Sequence, residues 1–311
     1  MNFSRSRLSE IISRATTFTV VTWVCVIGSP AGSEPKWQLP EGIKYAEVNG
    51  YDVAYQETGS GPPIVLVHGA LSDYRIWNAV VAEIAKHYRV IAVSLRHYYP
   101  EKWDGKGSDF SYEQHAADVA ALIKKLNVGK VHLVGHSRGG GVVVNVAKTH
   151  PEVIRTLVLA DASGFESMLP NTPEDQKLAS ASRDRREILQ KNLASGNIEL
   201  AGQMFVDSLN GPGAWATRTS EQRQRLFDNL ATASQMSDAP STNCEQIAKF
   251  DFPILLVHGD KSPKNFTAMS AAMRKCKIIA EPIVIPNAAH NMFIDNPAVF
   301  NAALLGFLAH D

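Results

Sequence analysis

The sequence predicts an α/β protein built on a doubly wound, mostly parallel sheet of eight strands, with a helical segment inserted into it. Three observations support this fold class. Short apolar runs alternate with helical stretches from Lys44 to Asp161, which is typical of strands connected by helices. Most of these runs are apolar throughout, as expected for strands buried on both faces. The alternation stops over residues 162–250 and returns at Ile254, which indicates an insertion.

The apolar runs give the strands in chain order. The first two are predicted to form a hairpin, because Asn49-Gly50 between them favours a two-residue turn. The later strands alternate with helices and are therefore expected to lie parallel. The predicted strands cover residues 45–48, 51–57, 64–67, 90–94, 131–134, 156–161, 254–258 and 281–286. The predicted helices of the core cover residues 76–87, 112–126 and 142–150, with a last helix starting near residue 296.

The segment over residues 162–250 has no strand pattern and is rich in Ala, Gln, Arg and Asp. We interpret it as a helical lid that shapes a pocket and excludes water, placed on a core formed by residues 34–161 and 251–311. Its predicted helices cover residues 173–193, 198–209 and 220–235. Four of its side chains fit either the lining of a pocket or the core of the lid itself: Met204, Phe205, Trp215 and Phe227.

A candidate nucleophile follows the fifth predicted strand. The run Gly135-His136-Ser137-Arg138-Gly139 lies between an apolar strand and a helical stretch, and this is the context in which G-x-S-x-G forms a sharp turn that presents a serine. Glycines on either side relieve crowding around the strained serine backbone. The turn places the Ser137 hydroxyl at a helix N-terminus, where backbone N–H groups stabilise an oxyanion.

A serine nucleophile needs a base, and the base needs an acid that orients it. For this motif the chain order is serine, then acid, then histidine. His290 lies on a loop just after the last predicted strand, so we predict it as the base. The apolar strand that ends in His68-Gly69-Ala70 leads into a loop that supplies a second oxyanion donor. We expect the backbone N–H groups of Ala70 and Arg138 to form that pair, and the His68 imidazole to hold the loop in place.

Together these motifs resemble the α/β-hydrolase fold family, and within it the lidded serine-hydrolase branch of esterases, C–C hydrolases and haloperoxidase-like enzymes. The resemblance rests on His68-Gly69-Ala70, on Gly135 to Gly140 and on Ala288-Ala289-His290, and it covers the chain from about Ile43 to the C-terminus. It implies a doubly wound sheet and acyl chemistry on Ser137 without a cofactor. It does not identify the substrate.

The acid departs from the family pattern. In most relatives it stands three residues after the glycine that follows the seventh strand, and here that residue is Ser262. Two carboxylates remain as candidates. Asp161 ends the sixth strand, and Asp260 lies on the expected loop but two residues early. We favour Asp161, since a strand end positions a side chain more rigidly than a rebuilt turn, and Asp260 is the alternative.

The N-terminus has the three-part layout of a secretory signal peptide over residues 1–33. Three arginines (Arg5, Arg7 and Arg14) precede an apolar run over residues 15–27, and small residues that suit cleavage follow. We therefore expect an exported protein, periplasmic or secreted; an uncleaved N-terminal anchor in the membrane is the alternative. Cys244 and Cys276 would remain after cleavage, and the sequence leaves open whether they form a disulfide or stay as thiols.

Composition and motifs exclude several classes of function. Lysine and arginine number 31 and aspartate and glutamate 31, so the balanced charge argues against a nucleic-acid partner. No C-x-x-C pair and no nucleotide-binding glycine motif after a strand is present, so we expect neither a metal nor a cofactor. The leading hypothesis is a hydrolase of a small ester or related acyl substrate. The alternatives are C–C bond hydrolysis or haloperoxidase-like activity on the same residues, and a ligand-binding protein without catalysis; the oligomeric state stays open.

Overall fold

A computed structural model describes residues 38–310, so the predicted signal peptide over residues 1–33 lies outside the described residues. The described part of the chain contains eight strands, as the sequence predicts. They are β1 (Ile43–Val48), β2 (Tyr51–Thr58), β3 (Pro63–Val67), β4 (Arg89–Val93), β5 (Val131–His136), β6 (Ile154–Ala160), β7 (Ile254–Gly259) and β8 (Ile283–Ile285).

Ten α-helices connect and cover these strands within residues 38–310. They are α1 (Asn78–Ile84), α2 (Tyr112–Lys125), α3 (Arg138–Thr149), α4 (Pro173–Ala194), α5 (Ile198–Asn210), α6 (Ser220–Asp228), α7 (Cys244–Ala248), α8 (Lys264–Cys276), α9 (Met292–Asp295) and α10 (Pro297–Leu308). Short 3₁₀ turns cover Tyr74–Trp77, Pro151–Val153, Glu166–Met168 and Leu230–Gln235.

The eight strands form one sheet in the order β1-β2-β4-β3-β5-β6-β7-β8. The hairpin β1–β2 pairs antiparallel, and β2 also runs antiparallel to β4. Every pairing from β4 to β8 is parallel. The carboxyl ends of β3, β5, β6 and β7 therefore meet along one edge, where ligands of doubly wound sheets bind. The predicted fold class is confirmed.

Two apolar layers cover the faces of the sheet. On one face α2, α3 and α8 pack on residues such as Val65, Leu133 and Leu157. On the other face the packing partners are α1, α9 and α10, with Trp77 and Phe293 among the fully buried side chains. Because both faces are covered, successive residues of the central strands are buried, and this explains their continuous apolar sequence.

All regular elements between β6 and β7 are helical, and α4, α5 and α6 share a small apolar core of their own. The sequence predicted one helix over residues 220–235, and this is wrong in one detail. The helix ends at Asp228, and Asn229 starts a 3₁₀ turn. The Asn229 side chain binds the core instead: its amide donates to Asp73 Oδ2 at 2.7 Å, and its oxygen accepts from the Tyr99 N–H at 2.8 Å.

A disulfide joins Cys244, at the start of α7, to Cys276, at the end of α8. It ties the last helix of the insertion to the helix that follows β7, and it settles the pairing that the sequence left open. Within residues 38–310, no helix has the length and apolar character needed to cross a membrane.

Candidate active site

Ser137 lies on a sharp turn between β5 and α3. Its backbone adopts φ 53° and ψ −121°, a strained conformation for a residue with a side chain. Neighbouring strands hold this turn. The Ser137 N–H donates to the Ala160 carbonyl at 3.1 Å, and the Ser137 carbonyl accepts from the N–H of Gly140 at 2.9 Å and of Ser163 at 3.0 Å. Gly139 is needed because a Cβ there would lie 2.4 Å from the His68 carbonyl.

The loop after β3 lies directly against this turn. A Cβ at Gly69 would lie 3.0 Å from Ser137 Cβ, closer than an ordinary van der Waals contact, so glycine favours this approach. The loop is held by His68, whose Nδ1 is 2.8 Å from the Gly69 carbonyl and whose Nε2 accepts from the Leu95 N–H at 3.0 Å. Ala70 follows and lines the same cavities as Ser137. The hydrogen bonds of His68 are those of a side chain that holds this loop, and Ala70 shares both cavities with Ser137.

His290 follows β8 and is almost completely buried, at 2 % exposure. Its ring stacks on Phe266, with the centroids 4.5 Å apart, and contacts His136 at the same distance on another side. His290 Nδ1 lies 3.0 Å from Asp161 Oδ2. Its Nε2 is buried and has no hydrogen-bond partner within the described chain. Because His290 and Ser137 line the same cavity, this nitrogen is the one left for a proton from the site.

Asp161, one residue beyond β6, is fully buried with φ 41°. Three groups bind its carboxylate: His290 Nδ1 at 3.0 Å, His258 Nδ1 at 2.7 Å, and the Ser262 hydroxyl, which donates at 2.6 Å. Burial alone would raise the pKa of this carboxyl, but the hydrogen bonds from His258 and His290 outweigh it, and the net pKa is lowered. Asp161 is therefore a charged acceptor that fixes the His290 ring.

Asp260, the alternative acid, is exposed and forms no hydrogen bond to His290, His258 or Ser262. Its two carboxylate oxygens accept from the backbone N–H groups of Asn287 and Ala288, each at 2.9 Å. These two hydrogen bonds lower the pKa of the carboxyl. The structure thus places Asp161 on His290 and gives Asp260 the task of holding the loop that carries His290.

Two cavities meet at Ser137. The first is lined by His290, Ser72, Arg218 and Arg225, and the second by Arg138, Ser163, Glu166 and Arg185. Phe205 and Leu209 of α5 line both cavities. Of the four side chains of the insertion that were candidates for the pocket lining, two line a cavity and two do not. Phe205 and Trp215 line a cavity, Phe227 packs on Trp215 with ring centroids 5.8 Å apart, and Met204 is 39 % exposed.

Several groups at this site were not predicted from the sequence. Ser262 occupies the position at which relatives carry the acid. Here its hydroxyl donates to Asp161 from the loop after the neighbouring strand, β7. His258, the penultimate residue of β7, binds the same carboxylate, although 97 positions separate the two residues. Their position at the carboxyl end of β7 was the only available signal. Arg218 and Arg225 of the insertion gave none, since arginines in a polar helical segment are usually solvated.

The arrangement provides what activation of a serine requires. A carboxylate holds one nitrogen of an imidazole, the other nitrogen is open, and a hydroxyl on a strained turn lines the same cavity. In such a set the imidazole accepts the hydroxyl proton as attack begins and returns it to the leaving group. The first N–H of α3, from Arg138, and the N–H of Ala70 lie on the two segments that flank the serine, as an oxyanion site requires.

Comparison with known proteins agrees with this geometry. A family model described as alpha/beta hydrolase fold matches residues 62–297. The chain is 26% identical over 279 residues to 2-hydroxy-6-oxo-6-(2'-aminophenyl)hexa-2,4-dienoic acid hydrolase of Metapseudomonas resinovorans, covering 86% of this chain and 90% of that protein. It is 26% identical over 274 residues to a non-heme haloperoxidase of Rhodococcus erythropolis, covering 84% and 97%.

A match of higher identity is shorter. A protein of Mycobacterium tuberculosis is 34% identical over 125 residues, and this match spans 40% of the present chain and 36% of the relative. Among solved structures, an esterase from Thermogutta terrifontis superimposes with a TM-score of 0.68 at 24% identity, covering 86% of this chain and 97% of that one. At this identity the superposition establishes the fold.

Proposed function

Because the chain belongs to the alpha/beta hydrolase fold family, we propose that it is a serine hydrolase that cleaves a small ester or related acyl substrate. The reaction runs through an acyl-enzyme on Ser137, with His290 as base and Asp161 as the acid that orients it. One observation supports this most strongly. Asp161 holds His290 Nδ1 at 3.0 Å while the buried Nε2 stays open on the cavity that Ser137 lines.

The proposed first half-reaction forms the acyl-enzyme. Ser137 Oγ attacks the ester carbonyl carbon, and its proton moves to His290 Nε2. The carbonyl oxygen becomes an oxyanion, which the N–H groups of Ala70 and Arg138 stabilise. When the intermediate collapses, the bond between the carbonyl carbon and the alcohol oxygen breaks, and His290 returns the proton to that oxygen. Asp161 stays ionised throughout, because its hydrogen bonds lower its pKa.

The second half-reaction repeats these steps with water in place of the serine. His290 takes a proton from water, the hydroxide attacks the acyl carbon, and the bond to Ser137 Oγ breaks as the proton returns to it. The acid product leaves and the enzyme is restored. C–C hydrolysis and haloperoxidase-like activity would use the same three side chains, so a substrate panel that includes a dienoic acid and a peroxidation assay separates them from ester hydrolysis.

The test is Ser137→Ala assayed with short p-nitrophenyl esters. We expect turnover to fall by at least about 10⁴-fold, with an unchanged circular dichroism spectrum. Ser195→Ala is the matched control, because Ser195 is exposed and its hydroxyl contacts only the Lys191 carbonyl. A fluorophosphonate should label the wild-type protein at Ser137. Unchanged turnover in Ser137→Ala would overturn the proposal, and turnover absent from the wild type together with no labelling would favour the non-catalytic alternative.

We also propose that the protein is exported. The arginine-plus-apolar pattern of residues 1–33 supports this, and so does the disulfide between Cys244 and Cys276, a bond that persists in oxidising compartments. Cell fractionation with N-terminal sequencing of the mature protein tests it. A mature N-terminus near residue 34 is expected, and a reduced, full-length cytosolic protein would contradict the proposal.

A further inference from the structure

We infer that the cavity on the His290 side of Ser137 binds an anionic group of the substrate, a carboxylate or a phosphate, through Arg218 and Arg225. This inference rests on the proposed serine hydrolysis, and it adds the chemical class of the substrate. The anion is assigned to the leaving-group part of the ester.

Arg218 and Arg225 both line this cavity, together with Ser137 and His290. Neither guanidinium has a hydrogen-bond acceptor or an ion-pair partner among residues 38–310. No aspartate or glutamate of the described chain lines the cavity. Arginine in a protein interior is normally paired with a carboxylate or a phosphate, so two unpaired arginines in the lining of one cavity indicate that the missing partner is a ligand.

Three carboxylates act on these arginines through space: Glu221 is exposed on α6, and the other two are already engaged. Asp73, which lies near Arg225, accepts two hydrogen bonds from the Arg75 side chain and one from Asn229. Asp295, which lies near Arg218, accepts from the Ala289 N–H at 2.9 Å. Burial outweighs these distant charges and lowers the pKa of both guanidinium groups from the ordinary arginine value. An anion in the cavity would supply the compensation that the protein does not.

Ser72 adds a neutral donor to the lining of the same cavity. The residue is 4 % exposed, it lines the cavity, and its hydroxyl has no hydrogen-bond partner within the described chain. A buried hydroxyl without a partner is costly, and an anion held by the two arginines would accept its hydrogen bond. Arg218, Arg225 and Ser72 therefore give the cavity three donors without a protein acceptor, and no carboxylate of the described chain lines it.

The cavity on the other side of Ser137 differs in charge. It is lined by Arg138, Arg185 and Arg186, but also by Glu166 and Asp238. Arg186 forms an ion pair with Asp238 at 2.8 Å, and Arg185 donates to the Ser182 hydroxyl at 3.3 Å. Arg138 packs over the rings of Phe110 and Tyr112. Two carboxylates thus partly offset the arginines of that cavity, whereas no carboxylate of the described chain lines the cavity of Arg218 and Arg225.

The position of His290 decides which part of the substrate carries the anion. His290 must return its proton to the leaving oxygen, so the alcohol part of the ester lies beside it. His290 lines the first cavity and not the second. The acyl part is therefore assigned to the cavity of Arg185, and the anionic group to the alcohol part.

The test compares three acetate esters of matched shape on the wild-type protein: 4-acetoxybenzoate, its neutral methyl ester, and 4-acetoxyphenyl phosphate. A charge-assisted hydrogen bond to an arginine predicts a kcat/KM about 10- to 100-fold higher for an anionic ester than for the neutral one. Preference for the benzoate identifies a carboxylate site, and preference for the phosphate identifies a phosphate site. An equal or lower kcat/KM for both anions overturns the inference.

Variants then assign the effect to residues. Arg218→Gln and Arg225→Gln should each remove about tenfold or more of the preference, mostly through KM, and Arg225→Lys should restore part of it. Lys177→Gln is the matched control, because Lys177 is an exposed cation on α4 and lines neither cavity. A preference that persists in both arginine variants overturns the assignment.

Failure of the inference differs from failure of the proposed function. If the protein is not a serine hydrolase, none of the three esters is cleaved and a fluorophosphonate does not label Ser137. If only the inference fails, Ser137 is labelled and the neutral methyl ester is cleaved at least as fast as the anions. Both readouts use the intact wild-type protein, so a variant that does not fold leaves the test in place.

Discussion

The carboxyl ends of β6 and β7 lie side by side on the same edge of the sheet, yet they place their carboxylates differently. Asp161, after β6, is fully buried, and two imidazoles and a hydroxyl bind it. Asp260, after β7, is exposed and binds two backbone N–H groups. The residue after β7 that relatives use as acid is here Ser262, and it supports Asp161.

The position of a carboxylate at the sheet edge therefore decides whether it orients His290. His290 Nδ1 binds the Asp161 carboxylate after β6, and Ser262, from the loop after β7, binds the same carboxylate. Once Asp161 occupies that place, a second carboxylate at position 262 would face it at close range, and like charges so near each other are unfavourable. A serine in that position instead donates a hydrogen bond at 2.6 Å.

The largest expected change in kcat distinguishes the two carboxylates, each replaced by an amide. Asp161→Asn should lower kcat for p-nitrophenyl esters by about 10³- to 10⁴-fold, because an amide neither fixes the imidazole tautomer nor stabilises the imidazolium. Asp260→Asn should change kcat by less than about threefold, since this residue contacts only the loop backbone. Steady-state kinetics on both variants measure the difference. Comparable losses in the two variants would remove the distinction between the strand ends.

A smaller effect is expected at His258, the histidine of β7 that binds Asp161. His258→Leu removes one donor from the carboxylate and should lower kcat about tenfold. KM should change little, because His258 lines neither cavity at Ser137. His258→Asn keeps a donor and should recover part of the lost kcat. Equal losses in kcat for the two variants would contradict a role for this hydrogen bond.

His68, the residue after β3, is expected to make the free energy of unfolding depend on pH. Burial lowers the pKa of His68 to about 4 from an ordinary value of 6.5, and its neutral ring accepts the Leu95 N–H. Between pH 6.5 and about 4 the unfolded chain binds the extra proton, so stability falls as the pH falls. Urea unfolding at several pH values should show a slope reduced in His68→Gln, by at most about 1.4 kcal/mol per pH unit. An unaltered slope would count against this protonation.

Much of this molecule could be predicted from the sequence. The eight strands, the family and the helical character of the insertion are confirmed, because periodicity and the glycine-rich turn are local signals. The roles of Ser137 and His290 stay predictions, and the structure places both at one cavity. Strand geometry favoured Asp161 over Asp260 as the acid, but it did not decide between them. A sequence does not show which strand end faces the imidazole.

What the sequence did not provide depends on contacts between distant segments. The hydrogen bond from His258 to Asp161 spans 97 positions. The predicted helix over residues 220–235 ends early because Asn229 binds Asp73 and Tyr99 of the core. Arg218 and Arg225 stand out only once the cavity is known and their lack of partners is visible. Hydrophobic patterning carries no information on any of these pairings.

The central claim is that Asp161 and His290 activate Ser137. The most direct measurement is the rate at which a fluorophosphonate labels the protein, with the modified residue located by mass spectrometry, in the wild type, Asp161→Asn and Asp260→Asn. We expect labelling at Ser137 at similar rates in the wild type and in Asp260→Asn. In Asp161→Asn we expect labelling to be slower by orders of magnitude. Fast labelling of Asp161→Asn, or modification of a different serine, would contradict it.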